Sequence, residues 1–182
     1  EQEIILLNKH ISSLKSQLSN QQYGINWLNI PEAFEQESLD KIPILKEDPC
    51  LNIITDDKDI THILIEGDNY HSLSCLRYTH NHKVDLIYID PPYNTGNNDF
   101  IYKDKRFLDE LPNGTEIKKN NPVRHSTWLS FISKRLYLAK DLLSDRGVIF
   151  ISIDDNEQAN LKLLCDKIFE KENYISTLIW KS

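Results

Sequence analysis

Val84-Asp-Leu-Ile-Tyr-Ile-Asp-Pro-Pro-Tyr93 decides how the whole chain is read. Its first six residues are mostly β-branched or aromatic, the composition of a buried strand. Pro91 and Pro92 then end any ladder, because each fixes φ and lacks an N–H donor. They also hold Asp90 extended, so the chain leaves the sheet stiff and unpaired where ligands of α/β sheets gather.

The flanking segments repeat an alternation of strand and helix. Downstream, Trp128, Phe131, Ile132, Leu136, Ala139 and Leu143 share one face of a helix started by Ser126 or Thr127 and stopped near Gly147. Val148–Ile153 reads as a buried strand. Asp155 and Gln158 have capping-box spacing for a helix through Leu163, Leu164 and Ile168, and Tyr174–Trp180 is expected as a last strand. Upstream, His62–Glu66 reads as a strand, Gly67-Asp68 as a turn and the stretch with Leu73 and Leu76 as a helix. Such alternation implies an α/β fold with a mostly parallel sheet. Ile4, Leu7, Ile11, Leu14 and Leu18 form a helical stripe, either a short oligomerisation seam or a face packed on the same chain. Gly24, Pro31, Pro43 and Pro49 punctuate an extended arm. The expected division is therefore a helix in 1–22, an acidic arm over 23–60 and a catalytic part over 61–182.

Composition narrows the function classes. The chain has 182 residues, 40% hydrophobic and 27% charged, which suits one globular domain with an extension. No apolar run nears the roughly 20 residues of a membrane span, and the first residues do not follow the charged, apolar and small-residue order of a secretory signal, so neither insertion nor secretion is expected. The net charge of −7 argues against a generally basic nucleic-acid binder. The excess is local, however: residues 1–60 carry −6, whereas 97–124 carry +1 and 125–182 are neutral. The later segments therefore suit a phosphate backbone met by a few placed cations. Cys50, Cys75 and Cys165, with no C-x-x-C pair, agree with a reducing compartment, so a cytoplasmic location is expected. Methionine is absent even at position 1, so the chain is expected to begin inside a longer gene product.

The Asp90 corner offers a carboxylate acceptor, a carbonyl acceptor and an aromatic ring. An exocyclic amine on a nucleobase is a poor nucleophile because its lone pair is delocalised into the ring. If Asp90 and the Pro91 carbonyl each accept one of its hydrogens, the lone pair is released from the ring plane and aimed at an electrophile. Tyr93 can stack on the ring and hold it. A base inside a duplex must first be flipped out to reach such a site. The competing interpretation is an ordinary proline turn with Tyr93 as surface cover.

Asp90-Pro-Pro-Tyr93 resembles the catalytic motif of amino-group DNA methyltransferases. His62-Ile-Leu-Ile-Glu-Gly-Asp-Asn-Tyr-His71, Ile87-Tyr-Ile-Asp-Pro-Pro-Tyr-Asn-Thr-Gly96 and Asp99-Phe-Ile-Tyr102 are similar to the modification (Mod) subunit of type III restriction-modification systems. So are His125-Ser-Thr-Trp-Leu-Ser130, Gly147-Val-Ile-Phe-Ile-Ser-Ile-Asp-Asp-Asn156 and Ile179-Trp-Lys181, so the likeness covers about residues 61–182, with a weaker trace at Ile42-Pro-Ile-Leu45. The resemblance implies a bacterial enzyme with part of a doubly wound Rossmann-like sheet, methylating adenine N6 in double-stranded DNA from S-adenosylmethionine. It implies that Asp90, Pro91, Pro92 and Tyr93 form the catalytic motif, and that Asp68, with Asn69 beside it, approaches the cofactor's adenine. Asp68 as a mere turn residue or helix cap is the alternative. The family also implies a Mod homodimer and a restriction (Res) subunit as partners.

The five glycines include no G-x-G pair, so the methionine end of the cofactor has no glycine cradle here. In this permuted class the glycine loop and the target-recognition region come later, so the chain is expected to be an N-terminal portion, inactive alone. The polar connection over 94–126, with Lys103, Lys105, Arg106, Lys118, Lys119 and Arg124, is either a loop over the flipped nucleotide or a solvated insert. His71, Cys75, His80 and His82 match no standard zinc spacing, so no metal is expected. Trp180 faces either the target base or a packed strand. Cytosine N4 or a protein glutamine amide as the methylated nitrogen, and a non-catalytic subunit-interaction module, are the alternative functions; Asp90 at the head of the motif favours adenine.

Overall fold

The computed structural model describes residues 11–12, 24–32, 41–52, 62–95 and 123–180. The stripe over 4–18 and the cationic connection after Thr95 lie outside them, apart from Ile11, Ser12 and the helical start of the next element. Among the described residues the longer helices and the strands follow in the order α1 (Asn69–His80), β1 (Val84–Ile89), α2 (Val123–Leu142), β2 (Leu143–Ile151) and α3 (Gln158–Phe169). β1 and β2 pair in parallel, with Ile87 opposite Ile149 and Ile89 opposite Ile151. Parallel neighbours need a crossover, and α2 lies within it. The expected α/β class is present as a two-stranded parallel sheet among the described residues.

The core lies between this sheet and two helices. Trp128, Leu129, Ile132 and Leu136 of α2 meet Leu161, Leu164 and Ile168 of α3, with Ile89, Ile149 and Ile151 packed against them. Strand alternation sends Leu86, Tyr88 and Phe150 to the opposite, exposed face. The arm reaches the same core through Ile25 and Trp27. It lies along α2, where Leu28 N donates to Ser126 Oγ at 3.3 Å and Ile30 N to Ser130 Oγ at 3.0 Å. Two serines one turn apart thus serve as a rail for the arm, and Ser126 does not start the helix.

Several boundaries differ from expectation. α2 begins at Val123 and ends at Leu142, not near Gly147. Its last carbonyls explain the stop: His82 N donates to Asp141 O and Lys83 N to Leu142 O, so the chain entering β1 takes the acceptors that a further turn would use. Gly147 instead lies in a bulge where residues 144–147 oppose Asp85 alone. A Cβ there would stand 2.8 Å from Val84 O and 2.7 Å from Leu143 Cδ2. Gly147→Ala is accordingly expected to lower stability by ~2 kcal/mol. A urea midpoint equal to that of the parent protein would show that the bulge yields freely.

The capping-box reading of α3 is also corrected. Glu157 occupies the N-cap position and makes no side-chain bond to the helix backbone. The local side-chain bond comes from Asp154, whose Oδ1 accepts from Asn156 N at 3.0 Å. Finally, His62–Glu66 and Tyr174–Trp180 are not strands here. Leu64 and Trp180 are more than 90% exposed. β-propensity makes a segment fit for a ladder, but the ladder needs a neighbouring strand, and neither segment has one among the described residues.

Candidate active site

β1 delivers the corner. The ladder closes with Ser152 N donating to Ile89 O at 2.9 Å, and the next residue is Asp90. Asp90 is exposed and takes part in no ion pair among the described residues, whereas Pro91 is buried. The proline pair is tied down by α2: the fully buried Trp128 donates from Nε1 to Pro92 O at 2.6 Å. Among the described residues nothing donates to the Pro91 carbonyl. The two adjacent proline carbonyls therefore differ: Pro92 O is held by the indole, and Pro91 O accepts no hydrogen bond among the described residues.

Tyr93 turns back on the motif. Its hydroxyl donates to Asp90 Oδ1 at 2.8 Å. That bond to a carboxylate, with slight burial and the negative charge beside it, raises the phenol pKa above its ordinary 10.0, so Tyr93 stays a neutral donor. The carboxylate and the ring lie side by side, and the carboxylate is already accepting one hydrogen bond.

The residue after the motif is anchored differently. Asn94 has φ 58, a left-handed conformation that asparagine tolerates better than most residues. Its Nδ2 donates to Oε1 of Glu157, a side chain that is 0% exposed. The same carboxylate accepts from His125 Nδ1 at 2.7 Å and from Asn160 Nδ2 at 2.7 Å. A carboxylate has no proton to give, so Nδ1 carries the hydrogen of the His125 contact.

Asp68 caps α1, its Oδ1 accepting from Tyr70 N at 2.8 Å. Arg135 Nη2 lies 3.3 Å from the same atom, and Asn69 begins the helix as an exposed residue. The carboxylate is thus an oriented acceptor at a helix start. Gly67 has φ +148, but a Cβ there meets only Ser72 Oγ at 4.0 Å, so this glycine gives the chain conformational freedom without forming a cradle. The candidate metal ligands are engaged elsewhere: Cys75 Sγ donates to Pro43 O, His80 contacts Thr79 Oγ1 and His82 contacts Leu143 O. No three His, Cys, Asp or Glu side chains converge among the described residues.

Asn94, His125, Glu157 and the indole N–H of Trp128 were not among the sequence candidates. One signal was available, since Glu157, Leu161, Leu164 and Ile168 repeat at helical steps and all four are buried. An acid on an apolar stripe demands partners.

Residues 84–182, more than half of the chain, match the family model described as DNA methylase. The chain is 39% identical to the type III restriction-modification enzyme EcoP15I Mod subunit of Escherichia coli, across 94% of this chain and 29% of that protein. It is 39% identical to the EcoPI Mod subunit of Escherichia phage P1, across 92% of this chain and 28% of that protein. The type II methyltransferase M.KpnI of Klebsiella pneumoniae is 42% identical across 62% of this chain and 25% of that protein. The chain thus spans less than a third of the length of these curated relatives.

Proposed function

Because this chain belongs to the DNA methylase family, we propose that it carries the catalytic corner of an adenine-N6 DNA methyltransferase, the modification subunit of a type III restriction-modification system. The observation that supports this most is the exposed Asp90 carboxylate held by the Tyr93 hydroxyl and followed by a Pro91 carbonyl that accepts no hydrogen bond among the described residues. The likeness to Mod subunits over 94% of the chain supports the assignment to that system. In this reading the two parallel strands belong to a larger, doubly wound Rossmann-like sheet. The substrate is double-stranded DNA, and a second Mod copy and a restriction subunit are the partners.

Asp90, Pro91, Pro92 and Tyr93 act together on a flipped base. The adenine amine donates one hydrogen to Asp90 and one to Pro91 O, which draws its lone pair out of the ring system. Pro92 contributes rigidity, and its carbonyl is held by Trp128. Tyr93 releases Asp90 and stacks on the base, so the tyrosine–aspartate bond is exchanged for two contacts with substrate. When bound, S-adenosylmethionine supplies an electrophilic methyl group on a sulfonium sulfur. Asp68 and Asn69 are the residues this chain offers to it: a carboxylate fixed by Tyr70 N and Arg135 suits a donor-rich adenosine edge. As the new N–C bond forms, the methyl–sulfur bond would break with its electron pair staying on the departing neutral thioether, and the amine gives up one proton, which Asp90 is placed to receive and pass to solvent.

The test is product identity. The full-length protein is incubated with methyl-labelled S-adenosylmethionine and unmethylated duplex DNA, which is then digested to nucleosides. Label is expected in N6-methyladenine. Label in N4-methylcytosine would overturn the choice of base, and DNA left unlabelled by a folded protein would overturn the reading as a whole.

A further inference from the structure

We propose that Asn94 and Glu157 form a clamp that positions the catalytic corner, and that methyl transfer depends on the polarity of their contact. This rests on the function proposed above and adds two positioning residues to it. A buried carboxylate is costly unless several donors satisfy it. Glu157 has three, and one of them is the side chain that directly follows Tyr93, 63 residues earlier in the chain. Packing alone gives no reason for an acid here, because the other buried members of its stripe, Leu161, Leu164 and Ile168, are aliphatic. The left-handed backbone of Asn94 turns its amide toward α3, and the acid at the head of that helix receives it.

The consequence lies in what the clamp brackets. The corner is held at Pro92 O by Trp128 of α2 and at Asn94 Nδ2 by Glu157 at the start of α3. Tyr93 is the single residue between these anchors. Its backbone is therefore fixed on both sides while its side chain is free to exchange Asp90 for a base. If the second anchor is lost, the ring and the Pro91 carbonyl lose their common frame, and misplacement of about 1 Å costs on the order of 100-fold in rate. His125 and Asn160 complete the acceptor's coordination and keep the carboxylate aimed.

The test inverts the contact in the full-length protein, reading single-turnover methyl transfer to duplex DNA and, separately, DNA affinity. Asn94→Asp sets two carboxylates against each other and is expected to slow transfer on the order of 100-fold with DNA affinity unchanged. Glu157→Gln alone keeps an oxygen for Asn94 and His125, and its new amide donates to Asn160 once that side chain turns its own oxygen inward, so transfer stays within a few-fold of the parent. Joining the two substitutions lets the amide introduced at the head of α3 donate to the carboxylate introduced after Tyr93, its oxygen accepting from Asn160 and the neutral His125 ring moving its hydrogen to Nε2 so that Nδ1 accepts, and transfer is expected to recover to within a few-fold of the parent. Asn94→Gly, which keeps the left-handed backbone and removes the amide without adding charge, takes away the second anchor itself and is expected to lose on the order of 100-fold in rate. Equal rates for the parent and Asn94→Gly would overturn the clamp, as would a double variant no faster than Asn94→Asp. Failure of the parent protein itself to transfer methyl groups would sink the proposed function, and the clamp with it.

Discussion

Asp90→Ala in the full-length protein is expected to lower methyl transfer to duplex DNA by about three orders of magnitude while leaving its folding unchanged. The activity term follows from the role assigned to the carboxylate. In the proposed function it is one of two acceptors that shift the amine lone pair, and loss of one preorganised partner of a developing charge typically costs about 10²–10³ in rate. In that proposal the carboxylate also receives the released proton, so the upper end is expected. The folding term follows from exposure: Asp90 lies at the surface, and among the described residues its carboxylate is hydrogen-bonded to Tyr93 alone. A surface change of this kind alters stability by about 0.5 kcal/mol or less. Paired measurements decide the matter. Parent-like transfer by Asp90→Ala would remove the enzyme reading of this corner, and a large drop in melting temperature would make the activity loss uninformative about chemistry.

What could be read from the sequence follows from how local each signal is. The span of β1 was legible because a run of Val, Leu, Ile and Tyr ended by two prolines determines its own limits. The buried face of α2 was legible because Trp128, Ile132, Leu136 and Ala139 repeat at helical steps. The end of α2 was not, since it depends on His82 and Lys83, some 60 residues earlier, reaching its last carbonyls. The expected strands at 62–66 and 174–180 failed for the same reason, because pairing is a property of two segments and each was judged alone. At the site, Asp90 through Tyr93 could be recognised as a contiguous string. The carboxylate that receives Asn94 was hidden, because a single acid at a helix start ordinarily suggests a cap. Only its position on the apolar stripe distinguishes it.

The second large effect is expected on stability, at Arg135. Replacing it with Met should destabilise the protein by about 3 kcal/mol, the low end for breaking a buried pair by removing one partner. Arg135 is 4% exposed and joins three parts of the chain. Its Nη1 lies 2.9 Å from Glu32 Oε1 and its Nη2 donates to Glu32 Oε2 at 3.2 Å, which fastens the arm. Nη2 also meets Asp68 Oδ1 at 3.3 Å, which fastens the start of α1, and the guanidinium lies 3.8 Å from the Phe131 ring centre. Methionine fills much of the volume but leaves the Glu32 carboxylate without its fork. The low end is chosen because Lys134 Nζ remains 4.0 Å from Glu32, its own pKa lowered mainly by burial and raised again in part by that acid. If the penalty comes from a stranded charge, Glu32→Leu added to Arg135→Met should return about half of the loss. Simple additivity of the two destabilisations in urea unfolding would refute that account. The pair also probes function, because the same guanidinium orients Asp68. Cofactor affinity should fall in Arg135→Met and stay low in the double variant even where stability returns, which separates the fastening of the arm from the aiming of the carboxylate.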